Sequence, residues 1–282
     1  MKKLLAYLFM ICGLGAYYFS WAITPSVQFF LEILGYIAMP FFAQAVVEGF
    51  FLTKNVYMYF VRLSLIAYLT QLSYFLVYLL WPSTQYPSKM NIVFSWMLSL
   101  TLLIALELLI SLPRDRIASM NLLNANPVTN STRYDVIITS EEANNLPRGL
   151  KVPKWPKSTF YAIALVLLSM CLILTTFLPL TMSMLSLFCV IVFYLLHRWK
   201  LQSRILIATI VFSAFAASYT YMHYRLTGTI SWEWTSLAGF LLCLLIPEKR
   251  RKKPRWFYRA LYLLFPLCNL VFATLSAVLS HA

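Results

Sequence analysis

Charge is what this chain has least of. Only 11% of its 282 residues are charged, and acidic residues number nine. A soluble domain carries about 25% charged and about 45–50% apolar residues, whereas 61% are hydrophobic here. A water-soluble enzyme is excluded, because a domain of this size has no interior large enough to hide so much apolar surface. Glycine is scarce as well, at seven, and no Gly-rich loop of the kind that cradles nucleotide phosphates occurs. The five cysteines (Cys12, Cys171, Cys189, Cys243, Cys268) lie in apolar runs, with no CxxC pair and no Cys/His cluster. Neither a disulfide framework nor a metal site is indicated. His197 and His223 fall at the ends of apolar runs and His281 is next to last, so no Ser/His/Asp set emerges.

What the chain does have is long apolar runs. Nine are found, at about 4–23, 28–52, 57–81, 91–112, 159–178, 180–197, 205–222, 230–246 and 257–279. A membrane-spanning helix needs roughly 20 such residues to cross about 30 Å of hydrocarbon. The expected fold is all-α: a polytopic membrane helix bundle of about nine transmembrane helices. It divides into a four-helix region, 1–112, a loop, 113–158, and a five-helix region, 159–282. No A-x-A-like cleavage site precedes the second run, so the first is expected to be a retained helix and not a signal peptide.

Basic residues outnumber acidic ones by 23 to nine, a formal charge of +14. Their placement argues for membrane topology and against a nucleic-acid partner. With the N-terminus in the cytoplasm, the inner segments hold Lys2 and Lys3, then Lys54 and Arg62. The long loop adds Arg114, Arg116, Arg133, Arg148, Lys151, Lys154 and Lys157. Arg198, Lys200 and Arg204 follow, then Lys249, Arg250, Arg251, Lys252, Lys253, Arg255 and Arg259. These are 21 of the 23, and only Lys89 and Arg225 fall outside. The positive-inside rule then gives a cytoplasmic N-terminus and, for nine spans, a C-terminus on the far side.

The 113–158 loop contains five prolines and one short strand-like run, Arg133–Ile138. With so few apolar residues it is expected to be a partly ordered linker. Its formal sequon, Asn130-Ser131-Thr132, would be inert in the cytoplasm.

Ionisable residues at bilayer depth are expensive and each is a functional hypothesis. Glu32, Tyr36, Pro40, Gln44 and Glu48 recur every four residues along the second run, so Gln44 and Glu48 should face one partner together. Glu48 and Arg62 each lie seven residues from Asn55, in the turn between the second and third runs. Equal spacing predicts equal depth, and an ion pair would lower the burial penalty of both. Such a pair reads either as a structural clamp or as the lining of a cytoplasm-facing reaction pocket. Glu107 either joins that cluster or snorkels to the interface. Glu233, between Trp232 and Trp234, reads as part of an aromatic belt. The basic run Lys249, Arg250, Arg251, Lys252, Lys253 reads as a topology anchor on anionic lipid, or as an attractor for a polyphosphate such as coenzyme A.

One block carries a resemblance. Gly35, Ile37-Ala38, Pro40, Phe42-Ala43, Glu48-Gly49, Thr53, Asn55, Tyr59, Arg62-Leu63 and Gln71 follow a spacing that is similar to the TraX family of pilin acetylases, and Asn91–Phe94 resembles its next conserved turn. Residues 3–10 resemble the family's opening helix and 261–271 its closing helix. The resemblance implies acetyl transfer from acetyl-CoA to a pilin. At three positions the chain departs from it: Gly13-Leu14 stand for Asp-His, Tyr36 for an arginine and Cys268 for a histidine. These are the groups that would move a proton and hold an oxyanion.

The expectation is a bacterial inner (cytoplasmic) membrane protein serving pilus (fimbrium) biogenesis, with acetyltransferase chemistry lost or altered. The alternative is an active acyltransferase, with Glu48, Arg62, Glu107 and Asn91 as candidate catalytic residues, acetyl-CoA as cofactor and a pilin, lipid or glycan acceptor. A transporter is the third reading, weakened by the lack of an internal repeat. The expected partners are the lipid bilayer and a pilin subunit.

Overall fold

A computed structural model describes residues 2–80, 91–110, 157–177, 183–198, 205–246 and 255–281 of the chain. Nine α-helices fill them: α1 (Lys2–Tyr18), α2 (Pro25–Leu52), α3 (Val56–Leu80), α4 (Ile92–Ile110), α5 (Lys157–Phe177), α6 (Ser183–Arg198), α7 (Ile205–Thr227), α8 (Ser236–Leu245) and α9 (Arg255–His281). Among the described residues there is no strand. Each apolar run holds one helix. The eighth run is divided, because the Ser231 side chain accepts the Glu233 N–H and opens a 3₁₀ turn, Trp232–Thr235, ahead of α8. The expected loop lies outside the described residues up to Lys157, where α5 begins.

Local chemistry sets the boundaries. Pro25 opens α2, where its missing N–H is no loss. At the other end Thr53 turns extended, and its N–H reaches the Gly49 carbonyl at 3.0 Å. Asn55 then opens α3, its Oδ1 accepting the Met58 N–H at 3.1 Å, as a capping residue does. Asn91 opens α4 in the same manner through the Val93 N–H at 3.0 Å. Its Nδ2 also donates to the Ala67 carbonyl at 2.9 Å and to Gln71 Oε1 at 3.1 Å. The start of α4 is thereby fixed beside the middle of α3.

Helix α2 is the centre of the bundle and packs on α1, α8, α6 and α4. Its Met39, Phe41, Ala43, Val47 and Phe50 are buried in one continuous core that also takes Leu100, Tyr194, Phe212 and Phe240, so the core draws on both halves of the chain. Two backbone contacts allow this density. A Cβ on Gly13 would lie 2.9 Å from the Gly35 Cα, and one on Gly239 would lie 2.2 Å from the Ile37 carbonyl oxygen. Small residues at such crossings are how helices approach closely where the solvent is lipid.

A buried polar chain ties α1 to α3 and α9. Asn269 is fully buried, accepts from Tyr18 Oη at 2.7 Å and donates to Ser73 Oγ at 2.8 Å. Two turns further on, Ser276 Oγ takes the Trp21 indole N–H at 3.0 Å and donates to the Tyr18 carbonyl. On the outside, α5 presents Leu165, Val166, Leu172 and Ile173, and α7 presents Leu206, Ile207 and Ile210, all exposed. Among the described residues four helices, α2, α4, α5 and α7, are long and apolar enough to cross a membrane.

Candidate functional site

Glu107 is the most deeply buried carboxylate of the bundle's described polar residues, at 0% exposure, three residues before the end of α4. Tyr194 and Arg198 stand one turn apart on α6 and reach it together. The Tyr194 hydroxyl donates to Glu107 Oε2, and Arg198 Nε lies 3.5 Å from Oε1. Arg198 is itself only 8% exposed, and its Nη2 is buried without a hydrogen-bond partner. It occupies the last turn of α6, where the helix dipole favours a cation. From α2, Phe51 stacks on the Tyr194 ring at 5.7 Å and meets the His197 ring at 4.4 Å, tilted by 35°. The aromatic wall keeps water from the pair. Neither sequence expectation for Glu107 describes it: it does not join Glu48 and Arg62 and does not reach outward, but is buried with partners on α6.

The expected Glu48–Arg62 pair is not formed. Arg62 is exposed, in line with exposed Met58, Leu65 and Leu69, and its Nε donates to the Met58 carbonyl of its own helix at 3.0 Å. Equal spacing from Asn55 fixes depth but not direction around each helix axis. α3 turns Leu63, Ile66 and Ala67 to the core, which leaves position 62 on the outer face. Glu48 is half-buried on α2, and both it and Lys2 lie within electrostatic range of Cys243. One turn away, Gln44 Oε1 accepts from Lys2 Nζ at 3.2 Å, and that same ammonium reaches the Cys243 carbonyl at 2.7 Å. Gln44 and Glu48 therefore share a neighbourhood, as their spacing predicts, made of the first turn of α1 and the last turn of α8.

Asn91 is buried, but all its bonds described above go to α3 and to its own helix. It acts as a clamp between α3 and α4. Lys249, Arg250, Arg251, Lys252 and Lys253 lie outside the described residues. Glu233 is more than part of an aromatic belt. The 3₁₀ turn leaves Trp232 and Trp234 exposed and brings Glu233 inward, where it interacts with Tyr219 of α7 and Tyr36 of α2.

Sequence reasoning missed Tyr194, Asn269 and the role of Arg198. The signal for the last existed: a carboxylate near the Lys2 end of α4 calls for a cation at the same end of another helix, and α6 closes on one. The block Gly35–Gln71 takes on physical meaning as scaffold. Gly35 makes the crossing with Gly13, and Gly49 leaves room for the Tyr59 ring, whose hydroxyl would be 2.7 Å from a Cβ there. Thr53 and Asn55 make the α2–α3 turn, and Gln71 receives Asn91.

Beside this scaffold lies a cavity of about 110 Å³ between α1, α2, α3, α4 and α9. Met10, Phe42, Ala45, Tyr59 and Trp96 line it, and Lys3 stands at one end.

The apolar helices and the comparison with known families agree on a membrane protein. The model of the TraX protein family matches residues 1–136, a stretch that leaves out the resemblance at 261–271. No curated protein and no solved structure matches the chain. Residues 1–136, which hold α1 to α4 with the Gly13–Gly35 crossing, the Thr53–Asn55 turn and the Asn91 clamp, are the part of the chain that is similar to the TraX family.

Proposed function

We propose that this TraX-like chain is a multi-pass protein of the bacterial inner membrane, with its N-terminus in the cytoplasm. It serves pilus (fimbrium) biogenesis as an accessory factor whose acetyl-transfer chemistry is lost or altered. One observation carries the reading. At the position where the resemblance implies an aspartate, Gly13 abuts the Gly35 backbone, and a Cβ there would sit 2.9 Å from a main-chain carbon. Backbone atoms of two packed helices cannot step aside for a carboxylate. The other departures agree with it: Tyr36 faces Glu32 and Glu233 electrostatically, and Cys268 is a partly buried thiol on α9. Intact-mass measurement of pilin from cells with and without the gene tests the proposal. Unchanged pilin mass with less assembled pilus is expected; an acetyl-sized shift restored by the wild-type gene would overturn it.

The active-acyltransferase reading has one observation in its favour: the cavity is lined by Phe42, Tyr59 and Leu63 of the family block. Under that reading acetyl-CoA is the donor, Glu48 or Glu107 the base, and the 249–253 basic run the phosphate contact. Retention of acetyl-CoA by the purified protein separates the two.

A further inference from the structure

The geometry points to a binding site for one acyl chain of an anionic phospholipid in the cavity between α1, α2, α3, α4 and α9. The inference rests on the membrane reading above but not on the pilus assignment.

Size decides what can enter. A water molecule needs roughly 10–15 Å³ of such space, so about 110 Å³ holds several times that. A partner helix is about 10–12 Å across and is excluded. The walls decide the chemistry. They are mostly aromatic and aliphatic side chains, with polar side-chain atoms on Lys3, Tyr7, Tyr59 and Trp96, and a cavity whose walls are mainly apolar favours hydrocarbon. Shape and charge decide the orientation. Lys3, Ala6, Tyr7 and Met10 recur at one-turn spacing and form one stripe of α1 along the cavity. The stripe is about 10 Å long at the helical rise. Lys3 is exposed at the end of this stripe. A chain that enters beside Lys3 and runs toward Met10 leaves its headgroup at that ammonium, where a phosphate is favoured over a zwitterion. The end with Lys3 is the cytoplasmic one in the topology proposed above, so the lipid comes from the inner leaflet.

Trp96 in the wall provides the test. The full-length protein is reconstituted in vesicles of phosphatidylglycerol and phosphatidylcholine, with bromine on the acyl chains of one lipid or the other. The Trp96 signal is the difference between wild type and Trp96→Phe. Brominated phosphatidylglycerol is expected to quench that signal at least threefold more than brominated phosphatidylcholine. Ala45→Phe, which fills the cavity, is expected to abolish the quenching. Lys3→Gln, at an exposed position, is expected to erase the preference between the lipids while the protein still elutes as folded, monodisperse protein. Equal quenching by both lipids in wild type overturns the inference, as does quenching that survives Ala45→Phe in folded protein. Displacement of brominated phosphatidylglycerol by palmitoyl-CoA would also overturn it, by assigning the cavity to a soluble thioester. If no tryptophan is quenched by either lipid, the membrane reading itself fails.

Discussion

Gly239 of α8 lies on the Ile37 carbonyl of α2: a Cβ at position 239 would be 2.2 Å from that oxygen. The contact falls one turn before Pro40, which removes a backbone donor from the next turn of the same helix. The two helices therefore meet main chain to main chain, with no flexible side chain to absorb an added atom.

Gly239→Ala is expected to drive α8 off α2 and to abolish accumulation of folded protein. Gly15→Ala is the control. A Cβ there meets only Phe272 at 4.0 Å, and replacing glycine in a helix by alanine is worth about 0.5–1 kcal/mol. Yield of monodisperse protein after detergent extraction reads both. Normal yield for Gly239→Ala would show that the crossing is looser than described.

The Glu107–Arg198 pair yields a prediction of opposite shape for single and double changes. Losing one partner strands the other in a site closed by Phe51 and Tyr194, at a cost of about 3–5 kcal/mol. Glu107→Leu or Arg198→Met alone is expected to lower the thermal midpoint markedly. Glu107→Leu with Arg198→Met should recover most of the loss, because no buried charge remains. A double variant as unstable as the worse single one would show that the pair contributes more than mutual neutralisation.

Asn269 offers a test away from any ion pair. Replacing it with leucine removes the acceptor of the Tyr18 hydroxyl and the donor to Ser73 Oγ, which keeps its own bond to the Thr70 carbonyl, and each hydrogen bond lost is worth about 0.5–1.5 kcal/mol. The thermal midpoint in detergent is expected to fall. Tyr18→Phe on the Asn269→Leu background should cost less than Tyr18→Phe alone, since the bond between the two is already gone.

The proposed topology is checked by fusion. A reporter active only outside the cytoplasm is expected to be silent when inserted within 113–158 and active when placed after Ala282. An active insertion in the loop would reverse the orientation, and with it the leaflet that supplies the lipid.

Helix number and type were legible because each helix follows from a local property, an unbroken apolar run. The turn at Thr53–Asn55 was legible for the same reason, since capping chemistry is written in adjacent residues. Direction around a helix axis was not. Glu48 and Arg62 are evenly spaced from Asn55, yet the packing of Leu63 and Ile66 sets which way α3 turns, and that depends on distant helices. Arg198 was visible as a charge and taken as a topology signal, because its partner Glu107 lies 91 residues away on another helix. Asn269 went unremarked beside Cys268, although a lone amide in an apolar helix is the stronger indication of a buried bond. The 3₁₀ turn at Trp232 was hidden inside a run that hydropathy alone reads as continuous.

The bond from Lys2 Nζ to the Cys243 carbonyl joins residues 241 positions apart. During synthesis α1 and α2 are made long before α8, so this ammonium can reach Gln44 early but the Cys243 carbonyl only when nearly the whole chain has been made. Its engagement at the end of α8 marks that helix as seated on α1, with only α9 still to come. A chain halted before α8 would carry the same N-terminal helices with their latch open, which gives a quality-control protease a chemical difference between finished and unfinished copies.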